Sequence, residues 1–380
     1  MNKSSITLLI LAGLIVVIIG FSMSADRNPS TLTIGLIGPL SGDGTGFGET
    51  ERHATEIALE EINALGGVGG RLVAVVYEDG RCNAKDALGA MQKLIAQNHV
   101  RIVLGGVCSA ETLAIAPIAN ENKVLLFSAF SSSPDITNAG DYVFRNAPSD
   151  SDVAKLDGEN LAKTGTRIAL LTEETAYSLG VRTIILKTIA QHNLLPVIEE
   201  RYASPLSGAT NADYRAVLSK IKAVNPDVLY VNPGTSARAG GLIVKQAREL
   251  GLVVPIHGNF SIATPEATVA AGATLEGAVV SDASDLSGKG KDLLARYKQR
   301  FGTEPTNAYE MGAAYDRVYI LKQAIETVGD DPTKIREYLY SMPDFEGTVG
   351  RYHFDKNGDV VGVGFAEYVI KDGKKVPLTQ

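Results

Sequence analysis

Residues 101–112 read RIVLGGVCSAET, and the fold turns on how this stretch is taken. Arg101 to Gly106 is a short β-branched run that ends in two glycines; Cys108 and Ser109 stand at the turn, and a helical pattern begins at about Ala110. Strand, glycine turn and helix in succession are half of a βαβ unit. In open α/β sheets, ligands sit beyond the carboxyl ends of the strands, where helices begin. Glycines there let the backbone approach a ligand, a helix start presents unsatisfied N–H groups and partial positive charge, and Ser109 adds a hydroxyl donor. These features suit a carboxylate; the alternative is that Ser109 only caps the helix that follows.

The same alternation extends in both directions. LTIGLI (Leu32 to Ile37) precedes a helix over Thr50 to Leu65, whose Ala54, Ile57, Ala58, Ile62 and Leu65 recur at helical spacing and stop at Gly66 and Gly67. LVAVVYED (Leu72 to Asp79), a helical ALGAMQKLIAQN, and VLLFS (Val124 to Ser128) complete a first unit. The pattern restarts after Pro148 with RIALLT (Arg167 to Thr172), a helix from about Tyr177, VIEERY, DVLYVN (Asp227 to Asn232) and VPIHG (Val254 to Gly258). Helices follow over Leu286 to Phe301, Thr306 to Val328 and Pro332 to Tyr340, and the chain ends in strands joined by turns at Asn357-Gly358 and Asp372-Gly373. The spacing predicts an α/β protein of two Rossmann-like lobes with parallel sheets. Residues 31–148 with 283–347 form the first lobe and 149–282 with 348–380 the second. Three hinge crossovers fall near Pro148, Asp282 and Gly347 to Gly350. A cleft between hinged lobes is the expected site.

The chain has 380 residues, 45% hydrophobic and 21% charged, within the range of folded globular proteins. A net charge of −7 without a long basic run excludes a nucleic-acid binder. Lys3 precedes the uncharged run ITLLILAGLIVVIIGF (Ile6 to Phe21), and Ser22, Ser24 and Ala25 offer a cleavage site. Residues 1–25 therefore read as a signal peptide or an N-terminal membrane anchor, and the body is placed outside the cytoplasm. No cysteine closely follows the apolar run, which excludes a lipoprotein anchor. Two cysteines, Cys82 and Cys108, suit a disulfide in an exported chain, with two buried free thiols as the alternative.

Other loops carry weaker signals. FSAFSSSPDIT (Phe127 to Thr137) places Ser131, Ser132 and Ser133 at the same sheet end as Ser109, where they complete an anion site or form a plain polar turn. GPLSGDGTGFGE (Gly38 to Glu49) and GGVGGR (Gly66 to Arg71) match no nucleotide-binding pattern. FDKNGDVVG has Val360 where a calcium loop needs glycine and reads as a hairpin. The histidines are scattered, and no G-x-S-x-G or H-E-x-x-H occurs, so neither metal, cofactor nor catalysis is expected.

LTIGLIGPLSG, ALEEINALGGVGGRL, VYEDGRCNAKDA, VRIVLGGVCSAET, LLFSAFSSSPDIT, AYSLGVRT, VKQARELGL, MGAAYDRVYIL and FDKNGDVVGVGF occur in that order. From about Thr31 to Val376 the set resembles the periplasmic leucine/isoleucine/valine-binding proteins, the type I solute receptors of ABC importers. The resemblance implies a monomeric two-lobed receptor that closes on a small-molecule ligand and delivers it to a membrane permease, without catalysis. It implies a disulfide between Cys82 and Cys108, a carboxylate-binding Ser109, a carbonyl at Phe130 suited to an ammonium, and a hydroxyl and amide at Ser132. Tyr177 and Phe47 fall on the family's aromatic positions. In leucine-type members a glutamate holds the ammonium where this chain has Phe260, and a tyrosine expected after DVLYVN gives way to Gly234, Thr235 and Ser236. Phe47, Tyr177 and Phe260 then line an aromatic pocket, with an ammonium met by cation–π contact or by Glu174, Asp282 or Glu310. An apolar or aromatic amino acid is the expected ligand, and an amine-free carboxylate the alternative. The rival functions are a membrane-anchored sensory module of the same fold and an exported α/β enzyme.

Overall fold

The computed structural model describes residues 31–42, 44–204, 212–234, 236–283 and 286–378; the segment 1–25 lies outside them. β1 (Leu32–Gly38), β2 (Val73–Asp79), β3 (Ile102–Gly105), β4 (Leu125–Ser128) and β5 (Val143–Arg145) form a parallel sheet in the order β2-β1-β3-β4-β5. Every residue of β3 and β4 is buried, as a parallel sheet covered by helices on both faces requires.

Helices α1 (Thr45–Ala64), α2 (Ala84–Ala96) and α3 (Ser109–Asn122) make the crossings. α1 buries Ala54, Ile57, Ala58 and Ile62 along one face. Leu65 lies beyond its end, 84% exposed, so the helical spacing carried one residue too far. Gly66 and Gly67 stop the helix at φ +99° and +80°, with Gly67 N–H donating to Ile62 O at 2.9 Å. A side chain at Gly67 would collide with Arg71 O.

The second sheet repeats the first. β6 (Ile168–Glu173), β7 (Ile198–Tyr202), β8 (Val228–Asn232), β9 (Ile256–Asn259) and β10 (Val279–Ala283) run parallel in the order β7-β6-β8-β9-β10. They alternate with α4 (Asp150–Thr164), α5 (Ala176–Gln191), α6 (Arg215–Ala223), α7 (Ala239–Glu249) and α8 (Pro265–Ala271). The chain then returns through α9 (Gly288–Phe301), α10 (Ala308–Val328) and α11 (Pro332–Ser341); α9 and α10 pack on α1. Arg317 of α10 and Glu51 of α1 form a wholly buried ion pair, and Arg317 also donates to Phe127 O at 2.8 Å.

β11 (Phe345–Glu346), β12 (Arg351–Phe354) and β13 (Val360–Val361) form a small antiparallel sheet. Its placement corrects the expectation that residues 348–380 belong with the second lobe. Phe354 stacks edge-on against Phe127 and Phe144, with centroids 5.4 and 5.6 Å apart, and Tyr352 joins the same core. Asp359 accepts from Arg145 Nε at 2.6 Å, which fastens the hairpin to β5. The third crossing therefore comes after Val361. Only β14 (Phe365–Lys371) and β15 (Lys374–Pro377) join the second sheet, where they add an antiparallel edge beside β10. Their turn has Asp372 and Gly373 both at positive φ, the conformation a tight hairpin needs.

The two halves touch. Phe260 and Ala237 of the second sheet's loops pack into the core that contains Phe47 and Phe130, and Thr306 donates to Glu266 Oε1 at 2.9 Å. The cleft is closed.

Candidate functional site

In each sheet the strand order reverses between two neighbours, β1 and β3 in the first and β6 and β8 in the second. A parallel sheet opens a crevice at such a point, because the following loops run to opposite faces. Here the two crevices face each other across one cavity of about 470 Å³ of atom-free space, part of it open to solvent. Phe47 follows β1, Ser109 and Ala110 follow β3, Thr175 and Tyr177 follow β6, and Gly234 follows β8. Phe130 and Ser132 after β4, Phe260 after β9 and Glu310 of α10 also line it, with Val107 and the Cys82–Cys108 bridge. Phe47, Ser109, Phe130, Ser132, Tyr177 and Phe260, singled out from the sequence, thus share one cavity.

Ser109 is not the helix cap. Cys108 holds that position with extended backbone, and Glu111 Oε2 accepts from its N–H at 2.9 Å while Oε1 accepts from Cys82 N–H at 3.0 Å. One buried carboxyl thus grips both sides of the Cys82–Cys108 disulfide, whose Cα atoms are 5.1 Å apart. Ser109 Oγ instead accepts from Ser133 N–H of the neighbouring loop at 3.2 Å. That contact leaves its hydroxyl hydrogen to donate into the cavity, beside the first amides of α3.

The glycines of the opening stretch have a different purpose from the one expected. A side chain at Gly105 would meet Ile37 O at 2.1 Å, and one at Gly106 would meet Glu111 Cβ at 2.5 Å. They permit close packing of turn, strand and helix, and neither lines the cavity.

Of the three serines after β4, Ser131 is spent on the fold, donating to Gly106 O at 2.9 Å. Ser132 Oγ donates to Asp150 Oδ2 at 3.0 Å, a partner that no local sequence signal marked. Tyr177 also hydrogen-bonds Asp150, whose pKa burial pushes up to about 7 despite these contacts and Arg145.

The rings form a continuous edge. Phe47 meets Phe260 and Phe260 meets Tyr177, with centroids 6.4 and 6.3 Å apart. A side chain at Gly234 would strike Ser178 Oγ at 2.7 Å and Thr175 Oγ1 at 2.8 Å, so no larger residue fits at that position. Thr235 lies outside the described residues.

The three candidate acids separate. Glu174 is exposed and off the cavity wall. Asp282 lies in an adjoining chamber and pairs with Lys375. Glu310 lines both spaces. Among the described residues there is no cluster of potential metal ligands and no helix long and apolar enough to cross a membrane.

This fold, with one cavity between two like-ordered sheets, defines a two-lobed solute receptor. Residues 31–373 match a family described as periplasmic binding protein, and the chain belongs to that family, in its leucine/isoleucine/valine-binding type I branch. It is 29% identical over 355 residues to a leucine-, isoleucine-, valine-, threonine- and alanine-binding protein of Pseudomonas aeruginosa, covering 92% of this chain and 91% of the relative. A leucine-binding protein of Thermotoga maritima superposes with a TM-score of 0.80 at 27% identity, covering 92% and 98% of the two chains. A solute-binding protein of R. palustris in complex with benzoate shares the fold at 21% identity and a TM-score of 0.80, covering 92% and 96%. The family consists of binding proteins rather than enzymes.

Proposed function

We propose that the chain is the exported, periplasmic receptor of an ABC importer, working as a monomer without catalysis, and that it binds an apolar or aromatic amino acid between its lobes. The observation that carries the reading is the position of Ser109. Ser109, at the start of α3, lines the same cavity as Phe47, Tyr177 and Phe260. Preorganised donors and a helix amino end stabilise a carboxylate, and the rings enclose an apolar side chain. Ser132 and Phe130 line the same cavity. Closing the lobes removes water from these hydrogen bonds and creates the surface a permease recognises.

The absence of the family glutamate at Phe260 favours a second reading, a receptor for an amine-free aromatic acid such as the benzoate of the R. palustris neighbour. Calorimetric titration of the purified chain, unfolded and refolded to strip carried ligand, against leucine, phenylalanine, glutamate and benzoate tests both. Ser109→Ala should weaken whichever acid binds by about 10-fold, the value of one hydrogen bond to a charged group, with the fold retained and the thermal melt lowered by the unpaired Ser133 N–H. Unaltered affinity refutes the carboxylate site.

A further inference from the structure

Glu310 stands in the first turn of α10, where its N–H donates to Asn307 Oδ1 at 3.1 Å. The residue is 8% exposed, and its Oε2 is shielded from solvent with no hydrogen-bond partner among the described residues. An ionised carboxylate in such a place carries a desolvation penalty unless a cation meets it. The surrounding charges make the deficit worse. Asp282, Asp150 and Glu51 act on Glu310 as like charges; Lys375, the cation that offsets them, has its ammonium on Asp282. Burial, with these acids, holds the Glu310 carboxyl well above its ordinary pKa.

Its location gives this deficit a use. Glu310 borders the ligand cavity and the adjoining chamber that contains Asp150 and Asp282, and the two spaces also share Ser132, Tyr177 and Phe260. A ligand whose carboxylate lies on Ser109 therefore has an unmet acid within the same enclosure. We propose that Glu310 is the anionic partner of the ligand's ammonium group, so that the site selects α-amino acids over amine-free acids of the same shape. This rests on the carboxylate reading of the Ser109 site. It places the acid on α10 of the first lobe's helical layer, in compensation for Phe260 after β9.

The test uses matched pairs: phenylalanine with 3-phenylpropanoate, and leucine with 4-methylpentanoate. Titrations are run on the wild-type chain, Glu310→Gln and Ser109→Ala. The wild type should bind each amino acid about 100-fold more tightly than its deaminated partner, the scale of a buried charge pair. Glu310→Gln keeps the shape and replaces the carboxyl by a neutral amide; it should bring the ratio within about 10-fold while 3-phenylpropanoate binding holds or improves. An unchanged ratio in Glu310→Gln overturns the proposal, because a neutral acid filling the wall is what glutamine imitates. So does a wild type that prefers the amine-free acid, a measurement that needs no variant to fold. In both cases loss of affinity in Ser109→Ala leaves the carboxylate site standing. Failure of every acid to bind overturns the site and the proposal together.

Discussion

Phe47 and Phe260 meet edge to face across the cleft, their ring centroids 6.4 Å apart and their planes at 84°. Phe47 lies in the first turn of α1, after β1 of the first sheet, and Phe260 in the turn after β9 of the second, so the contact exists only when the lobes are together. Edge-to-face pairs add about 0.5–1.5 kcal/mol beyond the area they bury. The pair thus contributes to closure as well as to the pocket wall. Phe260→Ala should weaken phenylalanine binding by about 10- to 100-fold, from the lost ring contact and buried area. Calorimetry reads the affinity, and small-angle scattering reads the expected shift toward an open form.

The Cys82–Cys108 bridge closes a loop with a sequence separation of 26 residues, and Cys108 also begins the helix that carries Ser109. Replacing both cysteines by serine should lower unfolding free energy by about 3 kcal/mol, the loop-closure value for this length. Denaturant titration measures that loss. Ligand affinity should fall in parallel, since Glu111 no longer holds two ends of a fixed turn.

Asp157 of α4 is buried, accepting from Tyr230 OH at 2.5 Å and Ser281 Oγ at 2.6 Å, and burial pushes its pKa from 3.8 up to about 7. The folded state therefore keeps a proton that the unfolded state loses. The resulting stability is fully present below pH 3.8 and disappears as pH rises through about 7. Glu111 and Asp150, also raised to about 7, act in the same direction. His53 and His257, lowered to about 4 by burial, oppose them below pH 6.5. Asparagine at 157 does not titrate, so the wild type should gain about 2 kcal/mol relative to Asp157→Asn between pH 8 and pH 5. Thermal and urea melts of the two proteins across that range check the difference.

Burial also favours the protonated form of Glu310 in the closed, unliganded protein, and an ammonium beside it favours the ionised form. Binding of phenylalanine should therefore be coupled to proton release, and affinity should rise with pH, with Asp282, Asp150, Glu51 and Lys375 as the neighbouring charges. The calorimetric enthalpy will differ between phosphate and Tris by their ionisation enthalpies. Glu310→Gln should remove most of that difference.

A side chain at Gly234 has no room beside the cap of α5, where Thr175 Oγ1 accepts from Ser178 N–H at 3.1 Å. Gly234→Ala should displace Tyr177 and reduce affinity about 10-fold with only a small change in melting temperature, an effect the size of a lost helix cap. Parallel binding and melting measurements separate the two.

Much of this was written locally. The alternation of β-branched runs and helical spacing marked β1–β4 and β6–β9, because each element's burial pattern is imposed on residues within a few positions of one another. Ser109 was legible for the same reason: strand, turn and helix lie within a dozen residues. Local periodicity did not mark β5, whose three residues are too short for a pattern, nor α4 behind Pro148. The hairpin of β12 and β13 showed its turn at Asn357-Gly358 but not its lobe, since an amphipathic strand pairs equally well with either core. Phe127 and Phe144 decided that.

The sequence by itself determined the order of elements, the pairing candidates Cys82 and Cys108, and the strand ends where Ser109, Ser132, Tyr177 and Phe260 stand. Only the tertiary structure decided that Asp150 takes the Ser132 hydroxyl, and that Glu310, which in sequence is an ordinary acid in a helix's first turn, is buried at the cavity with its Oε2 unpaired among the described residues. Burial and counterions are supplied by segments far away along the chain, so the charge balance of the site is a property of the assembled lobes and is absent from any single stretch.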